Sequence, residues 1–183
     1  MKRILLKYGL VLVSLAGIIL STSCTPQASP PMATTPVATV FWMNIELTDV
    51  VTGETFKISD FRNKPILLES FAVWCPACLR QQQEIAQLHS SEGDSIIHIS
   101  LGTDPNEDEA KVREHVQSNG LDWYFAVSPV ELSQALIDEF GFEVVAAPAA
   151  PVVLICPDQS ARLLEIGVKS ADKLLAEITK GCN

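Results

Sequence analysis

Basic residues, histidine and cysteine are all scarce in this chain of 183 residues. It has 13 lysines and arginines against 22 aspartates and glutamates, and its formal net charge is −9. Removal of an N-terminal segment that contains Lys2, Arg3 and Lys7 would bring the net charge to about −12. Phosphate backbones and anionic lipid headgroups repel so acidic a protein. The composition therefore argues against nucleic acid, or a bare anionic membrane surface, as a partner.

The scarcity of metal ligands affects how the cysteines are interpreted. The chain has 3 histidines and 5 cysteines, and two of these, Cys75 and Cys78, are separated by two residues. A structural zinc site with four ligands needs a second closely spaced pair of cysteines or histidines. The remaining candidates show no such spacing: His89, His98, His115, Cys156 and Cys182. A zinc site is thus disfavoured, and a purely structural disulfide across so short a loop would restrict the unfolded chain little.

The closely spaced pair has a setting suited to redox chemistry. An apolar run over residues 65–71 is typical of a buried strand, and the pattern predicts a helix over residues 78–88. Cys75 is therefore expected at a helix N-terminus, where unpaired N–H groups and the helix dipole favour a thiolate over a thiol. We predict that Cys75 is the nucleophile and that Cys78, one turn later, is the resolving thiol. A redox-active disulfide of this kind needs no further cofactor.

This motif and its surroundings resemble the thioredoxin superfamily, and within it the extracytoplasmic TlpA/ResA-like thiol-disulfide oxidoreductases. The resemblance covers most of residues 44–179. It is strongest over residues 45–49, at Gly53 and over residues 58–65, which are similar to the family's entry hairpin and its approach to Trp-Cys-x-x-Cys. It implies an α/β, thioredoxin-like fold with a central mixed β-sheet, helices on both faces, an N-terminal β-hairpin extension and an inserted helix.

The resemblance also implies a proton acceptor. Glu69 lies six positions before Cys75, where the family often has a buried acid that takes the proton from the second cysteine. Burial would raise the pKa of this carboxyl toward neutrality, as the role requires. Many TlpA/ResA-like relatives have a neutral residue there, and a solvated acid at a strand end is the alternative.

A third element implied by the resemblance is a cis-proline before the strand that faces the active site. Pro151 precedes the apolar run 152–156 directly and fits the family's spacing better than Pro148. The residue before this proline would pair with the substrate backbone. The expected substrate contacts are Trp74, Pro76, Ala150 and Pro151.

Several residues depart from the family or carry no expected chemistry. Gln81 and Gln83 stand where many relatives have an acid and a helix-kinking proline, which weakens any transfer of substrate specificity. His98, inside an apolar strand, is expected to be a hydrogen-bonded core residue. His89 and His115 are expected on helix surfaces.

The later part of the chain alternates between strand and helix patterns. These patterns predict strands over residues 95–100, 123–127 and 162–167, and helices over residues 107–119, 130–140 and 171–180. Cys156 ends the strand after Pro151, and Cys182 follows the last helix. In the implied fold both lie on the same side of the sheet, so a second disulfide is one option. Unpaired thiols are the preferred expectation.

The N-terminus predicts export. Residues 1–24 combine early positive charges with an apolar run over residues 8–20, as in a secretory signal. The residues before Cys24 resemble a lipoprotein processing site that would lipidate this cysteine, although Leu20 lies four residues before it and the usual position is three before. An uncleaved anchor and release in soluble form are alternatives. Residues 25–40, rich in proline, threonine and alanine, predict a semi-extended tether, and residues 41–183 a single thioredoxin-like domain.

Together these features predict a membrane-tethered thiol-disulfide oxidoreductase on the outer face of the cytoplasmic membrane. We expect a monomer with no nucleic-acid partner. The resemblance implies reduction of protein disulfides, with apocytochrome c as one candidate substrate and a membrane thiol carrier as electron donor. Pro76 and Ala77 offer no cation to stabilise the thiolate strongly, which favours a reductant. The alternatives are an oxidant or isomerase, and a metal-delivery protein of the same fold. The latter would need a histidine after His115, and none is present.

Overall fold

The computed structural model describes residues 41–182 of the chain. Its strands and helices, in chain order, are β1 (Leu47–Thr48), β2 (Thr55–Phe56), β3 (Ile66–Phe71), α1 (Pro76–Glu92), β4 (Ile97–Gly102), α2 (Glu109–Asn119), β5 (Tyr124–Val127), α3 (Val130–Phe140), β6 (Val152–Ile155), β7 (Ala161–Leu163) and α4 (Ala171–Lys180). The predicted signal segment, Cys24 and the tether lie outside the described residues. No helix within residues 41–182 combines the length and apolarity needed to cross a bilayer.

Five strands form a mixed central sheet in the order β5-β4-β3-β6-β7. Strand β3 pairs in parallel with β4, which pairs in parallel with β5, whereas β6 runs antiparallel to both β3 and β7. Every residue of β3 is buried, as expected for a central strand that is covered on both faces. Strands β1 and β2 form a separate antiparallel hairpin, with Leu47 opposite Phe56. The predicted mixed sheet and entry hairpin are confirmed.

The helices cover both faces of this sheet. Because successive side chains of a strand point to opposite faces, Leu67 and Phe71 of β3 join one apolar cluster, with residues of α1, α2 and α4. Leu68 joins a second cluster with Leu132 and Leu136 of α3. The side chain of Glu69 therefore shares the α1 face of the sheet with Leu67 and Phe71.

Several element boundaries differ from the sequence prediction, among them the start of α1 and the end of β7. Helix α1 starts at Pro76 because Cys75 is its N-cap and proline is well tolerated at the first helical position. Strand β7 stops at Leu163, earlier than predicted. The chain then turns, and the backbone N–H of Gly167, a glycine with φ of 105°, donates to the Ala149 carbonyl at 2.8 Å.

Cys156 and Cys182 form a disulfide, so the preference for unpaired thiols is wrong. Their Cα atoms lie 6.0 Å apart, within the normal range for such a bond. Arg162 of β7 holds the end of α4 nearby, since its guanidinium donates to the carbonyl oxygens of Gly181 and Glu177. This contact brings the C-terminal cysteine beside the end of β6.

Candidate active site

The closely spaced cysteines form a disulfide at the N-terminus of α1. Their Cα atoms are 5.3 Å apart. Cys75 is the N-cap residue, and its Sγ accepts a hydrogen bond from the backbone N–H of Cys78 at 3.1 Å. The helix therefore directs an unpaired N–H group at the sulfur that was predicted to act as nucleophile. Both cysteines are almost fully buried in this oxidised state.

A short 3-10 segment, Ala147–Ala149, lies against the second cysteine. The carbonyl oxygen of Ala147 is 3.0 Å from Cys78 Sγ, a distance at which a reduced thiol can donate a hydrogen bond to it. Pro148 of the same segment is exposed. This segment therefore contacts the sulfur that would leave or attack during disulfide exchange.

An open groove of about 550 Å³ runs beside the cysteine pair. Trp74, Phe142, Ala147 and Pro148 are among its lining residues, and the first two are exposed by 59% and 71%. The Trp74 indole N–H donates to the Asp104 carboxylate at 2.6 Å, which lowers the pKa of Asp104. This hydrogen bond fixes a large apolar side chain at the rim of the groove.

The expected cis-proline is not observed, because residues 41–182 contain no cis peptide bond. Pro151 is buried, and its carbonyl accepts a hydrogen bond from Ser70 N at 3.3 Å. Ala150 is fully buried, and its own N–H and carbonyl are bound to Ala147 O and Lys169 Nζ. Both backbone groups of Ala150 are thus hydrogen-bonded within the protein, and it is Pro148 that lines the groove. Spacing alone favours Pro151 because the extra turn at Ala150, whose φ is 45°, has no signal in the sequence.

Glu69 lies buried beneath α1, as predicted. Its side chain has no exposed surface, and this desolvation raises the pKa of its carboxyl to about 8. Ser100, Gln82 and Lys169 oppose the shift. Gln82 follows Cys78 by four residues, so both lie on the same side of the helix. The carboxyl therefore lies against the side of α1 that carries the second cysteine, at the turn of Gln82.

A hydrogen-bonded network surrounds this carboxyl. Ser100 Oγ donates to Glu69 Oε2 at 2.7 Å and accepts from the Trp123 indole N–H at 3.0 Å. His115 Nε2 lies 2.7 Å from Gln82 Oε1. His115 is buried, so its predicted place on a helix surface is wrong: it faces α1 from α2. Sequence reasoning missed Ser100 and Gln82, since neither belongs to a motif.

His98 is buried in β4, as predicted, yet neither ring nitrogen has a hydrogen-bond partner among the described residues. The expectation of a hydrogen-bonded core histidine is therefore wrong. Burial lowers the pKa of His98 to about 4, and neighbouring His89, whose ring centre is 5.2 Å away, adds to the shift. His89 itself is half-buried.

A second acid supports the loop that leads to the cysteines. Glu107 Oε1 accepts a hydrogen bond from Val73 N at 2.8 Å. Burial raises the pKa of Glu107, and the hydrogen bond to Val73 opposes that shift. This contact fixes the backbone two residues before Cys75, and the sequence offered no signal for it.

Comparison with known proteins places this geometry in a family. The redoxin family model matches residues 32–168, about three quarters of the chain. Among curated proteins, the chloroplastic thioredoxin-like protein CITRX of Solanum tuberosum is 26% identical over 94 residues, which are 51% of this chain and 48% of that protein. The match thus spans about half the length of this relative.

Solved structures show the same architecture. A thiol:disulfide interchange protein of the thioredoxin family from Chlorobium tepidum TLS superposes with a TM-score of 0.61 at 15% identity, over 76% of this chain and 93% of that one. An exposed lipoprotein thioredoxin from Streptococcus pneumoniae strain TIGR4 superposes with a TM-score of 0.56 at 21% identity, over 74% and 98%. At these identities the likeness establishes the fold.

Proposed function

The chain belongs to the redoxin family within the thioredoxin superfamily, and from this premise we propose that it is a thiol-disulfide oxidoreductase that reduces protein disulfides. One observation carries the proposal: Cys75 and Cys78 form a disulfide at the N-terminus of α1, above the buried carboxyl of Glu69. The proposed cofactor is this disulfide alone.

The proposed reaction begins with the reduced pair. The Cys75 thiolate attacks a substrate disulfide, forms a mixed disulfide with one substrate sulfur and expels the other as a thiolate, which takes a proton. The Cys78 thiol then loses its proton and attacks Cys75 Sγ, so that the second substrate sulfur leaves as a thiolate. Two electrons pass to the substrate, and the Cys75–Cys78 disulfide forms. A dithiol donor, which we propose is a membrane thiol carrier, restores the reduced pair.

Glu69 is the proposed acceptor of the Cys78 proton. A carboxyl whose pKa is about 8 matches a thiol more closely than an ordinary glutamate does, and such matching favours proton transfer. Because the carboxylate fraction grows as the pH approaches 8, the resolving step is expected to accelerate over this range.

The groove beside the pair is the proposed substrate site. Its exposed aromatic rim, Trp74 and Phe142, and the exposed Pro148 suit an extended polypeptide with apolar side chains. An unfolded segment that contains a disulfide, such as that of an apocytochrome c, has this chemistry. Pro76 at the start of α1 borders the same cysteines, and substrate contact by Pro76, Ala150 and Pro151 remains a prediction.

We propose that the protein is exported and held at the outer face of the cytoplasmic membrane through its N-terminus, where Cys24 is the proposed lipidation site. The support comes from the sequence pattern of residues 1–24 and from the fold shared with an exposed lipoprotein thioredoxin. Residues 25–40 would then act as the tether of a monomeric domain.

A disulfide oxidant or isomerase is the second candidate, because the same pair supports both directions of exchange and its reduction potential decides between them. Metal delivery finds less support, since no group of three or more potential ligands within residues 41–182 is arranged to hold an ion.

Trapping the mixed disulfide tests the two cysteine roles. Reduced Cys78→Ser protein should accumulate a mixed disulfide with a peptide disulfide, since Cys75 can attack but nothing resolves the product. Reduced Cys75→Ser protein should form far less, and the Cys156–Cys182 pair serves as an internal control in both variants. The opposite pattern in intact-mass spectra would reverse the assignment, and no adduct with either variant would contradict the proposed function.

A further inference from the structure

Lys169 is a buried cation in the turn between β7 and α4. It is 5% exposed, and its backbone is held by the side chain of Gln81, three residues after Cys78. Gln81 Oε1 accepts from Lys169 N at 2.8 Å, and Gln81 Nε2 donates to Lys169 O at 3.1 Å. Gln81 is one of the positions at which the sequence departs from the family pattern. Here it ties the active-site helix to the lysine.

The ammonium group of Lys169 contacts the segment that lies against Cys78. Nζ donates to Ala150 O at 2.8 Å, and also to the carbonyls of Glu165 and Gly167. Ala150 has a left-handed backbone, with φ of 45°, which is uncommon for a residue other than glycine. Its N–H in turn donates to Ala147 O, the oxygen beside Cys78 Sγ. The lysine thus holds a strained segment in place next to the resolving sulfur.

The charge of Lys169 also acts on Glu69. Burial lowers the pKa of Lys169 to about 8, while the charges of Glu69 and Glu165 oppose that shift and Lys173 adds to it. In return, the lysine opposes the rise in the pKa of Glu69. The other neighbours of Glu69 are the uncharged side chains of Ser100 on β4 and Gln82 on α1. His115 of α2 contacts Gln82, and burial lowers the pKa of this histidine, which favours its neutral form. The charge of Lys169 thus favours the ionised form of Glu69.

We propose that Lys169 is a positioning residue of the active site, which fixes residues 147–150 against Cys78 through the hydrogen bond from its ammonium group to Ala150 O. This role rests on the proposed disulfide exchange. It accounts for a buried lysine that is anchored at both its backbone and its side chain. Loss of the ammonium should weaken substrate binding, because residues 147–150 border the groove, and should delay ionisation of Glu69 to higher pH.

Steady-state reduction of a fluorescent peptide disulfide by the full chain, with dithiothreitol as donor, tests the role. In Lys169→Met we expect KM to rise about five-fold and the pH midpoint of kcat to move up by about one unit. Lys169→Arg should keep the wild-type midpoint, since its charge is retained. Lys180→Met, at an exposed lysine at the end of α4, is the matched control and should behave as wild type. If Lys169→Met has the same KM and the same pH dependence of kcat as the control variant, the proposal is overturned.

A second measurement needs no change at Lys169. In Glu69→Gln, NMR titration of the Lys169 side chain should give a lower pKa than in the wild type, because the opposing carboxylate is gone. Equal values would overturn the coupling, and this result is available even if Lys169→Met does not fold. Should the wild-type protein reduce no disulfide at all, the proposed function fails, whereas this titration still decides whether the lysine faces Glu69.

Discussion

Burial of Glu69 has a consequence for stability that is separate from its proposed role in catalysis. A glutamate in the unfolded chain ionises near pH 4.5, whereas Glu69 in the folded protein ionises at about pH 8. The folded state therefore binds more protons between these values. The contribution of Glu69 to stability is therefore fully present below pH 4.5 and is lost as the pH rises through 8.

Substitution of Glu69 by glutamine should remove this pH dependence. The free energy of unfolding of the wild type, relative to Glu69→Gln, should fall by on the order of 3 to 5 kcal/mol between pH 4 and pH 9. Urea titrations of the oxidised protein across this range measure it. Parallel curves for the two proteins would mean that the carboxyl is solvated.

His98 should affect stability in the opposite direction to Glu69, because its contribution is lost as the pH falls. Its pKa is about 4 in the folded protein and 6.5 in the unfolded chain, so its contribution is present above pH 6.5 and is lost as the pH falls through 4. Replacement by phenylalanine, which is of similar size and cannot ionise, should reduce the loss of stability between pH 7 and pH 4 by on the order of 2 to 3 kcal/mol. Thermal unfolding at a series of pH values tests this prediction. An equal loss of stability between pH 7 and pH 4 in the wild type and the variant would contradict it.

Among the elements, α1 is joined to the turn before α4 by the side chain of Gln81, which binds the backbone of Lys169. The Gln81→Leu change would leave the backbone N–H and carbonyl of Lys169 buried without partners. We expect a loss of about 2 to 4 kcal/mol of folding free energy, measured by chemical denaturation. Gln83→Leu, on the exposed side of the same helix, should cost far less. An equal loss of folding free energy in the two variants would show that the contact between Gln81 and Lys169 does not stabilise the fold.

The second disulfide joins β6 to the end of α4 across 26 residues. Replacement of both Cys156 and Cys182 by serine releases this loop in the unfolded chain and should lower the free energy of unfolding by about 3 kcal/mol. The Cys75–Cys78 pair should still cycle, since it lies on a different element. A double variant that is as stable as the wild type would mean that the bond does not form in solution.

At the scale of the elements, the sequence predicted much of the fold. Helices α3 and α4 have their predicted bounds, because their apolar periodicity and caps are clear. The turns at Ala150 and Gly167 escaped prediction, since they depend on hydrogen bonds between segments distant in the chain. For the same reason the sequence pattern favours Pro151 as the proline at the substrate site, whereas Pro148 is the proline that lines the groove.

For the molecule as a whole, the candidate site divides into a predictable and an unpredictable part. The short spacing of Cys75 and Cys78 and their place at a helix end predict their chemistry locally, whereas Glu69 is predicted from the resemblance to the thioredoxin family. Lys169, Gln82 and Ser100 meet that site from separate elements. No local pattern distinguishes a buried lysine in a turn from a solvated one, so only the packed structure identifies it.

The reduction potential of the Cys75–Cys78 pair tests the central claim most directly. The full chain is equilibrated across glutathione and dithiothreitol buffers, alkylated and analysed by peptide mass spectrometry, so that this pair is separated from Cys156–Cys182. We predict a reversible two-electron titration near −270 mV, about the value of thioredoxin, or lower. A value near −120 mV, typical of an oxidant, would contradict the reductive role, and no reversible titration would contradict the oxidoreductase itself.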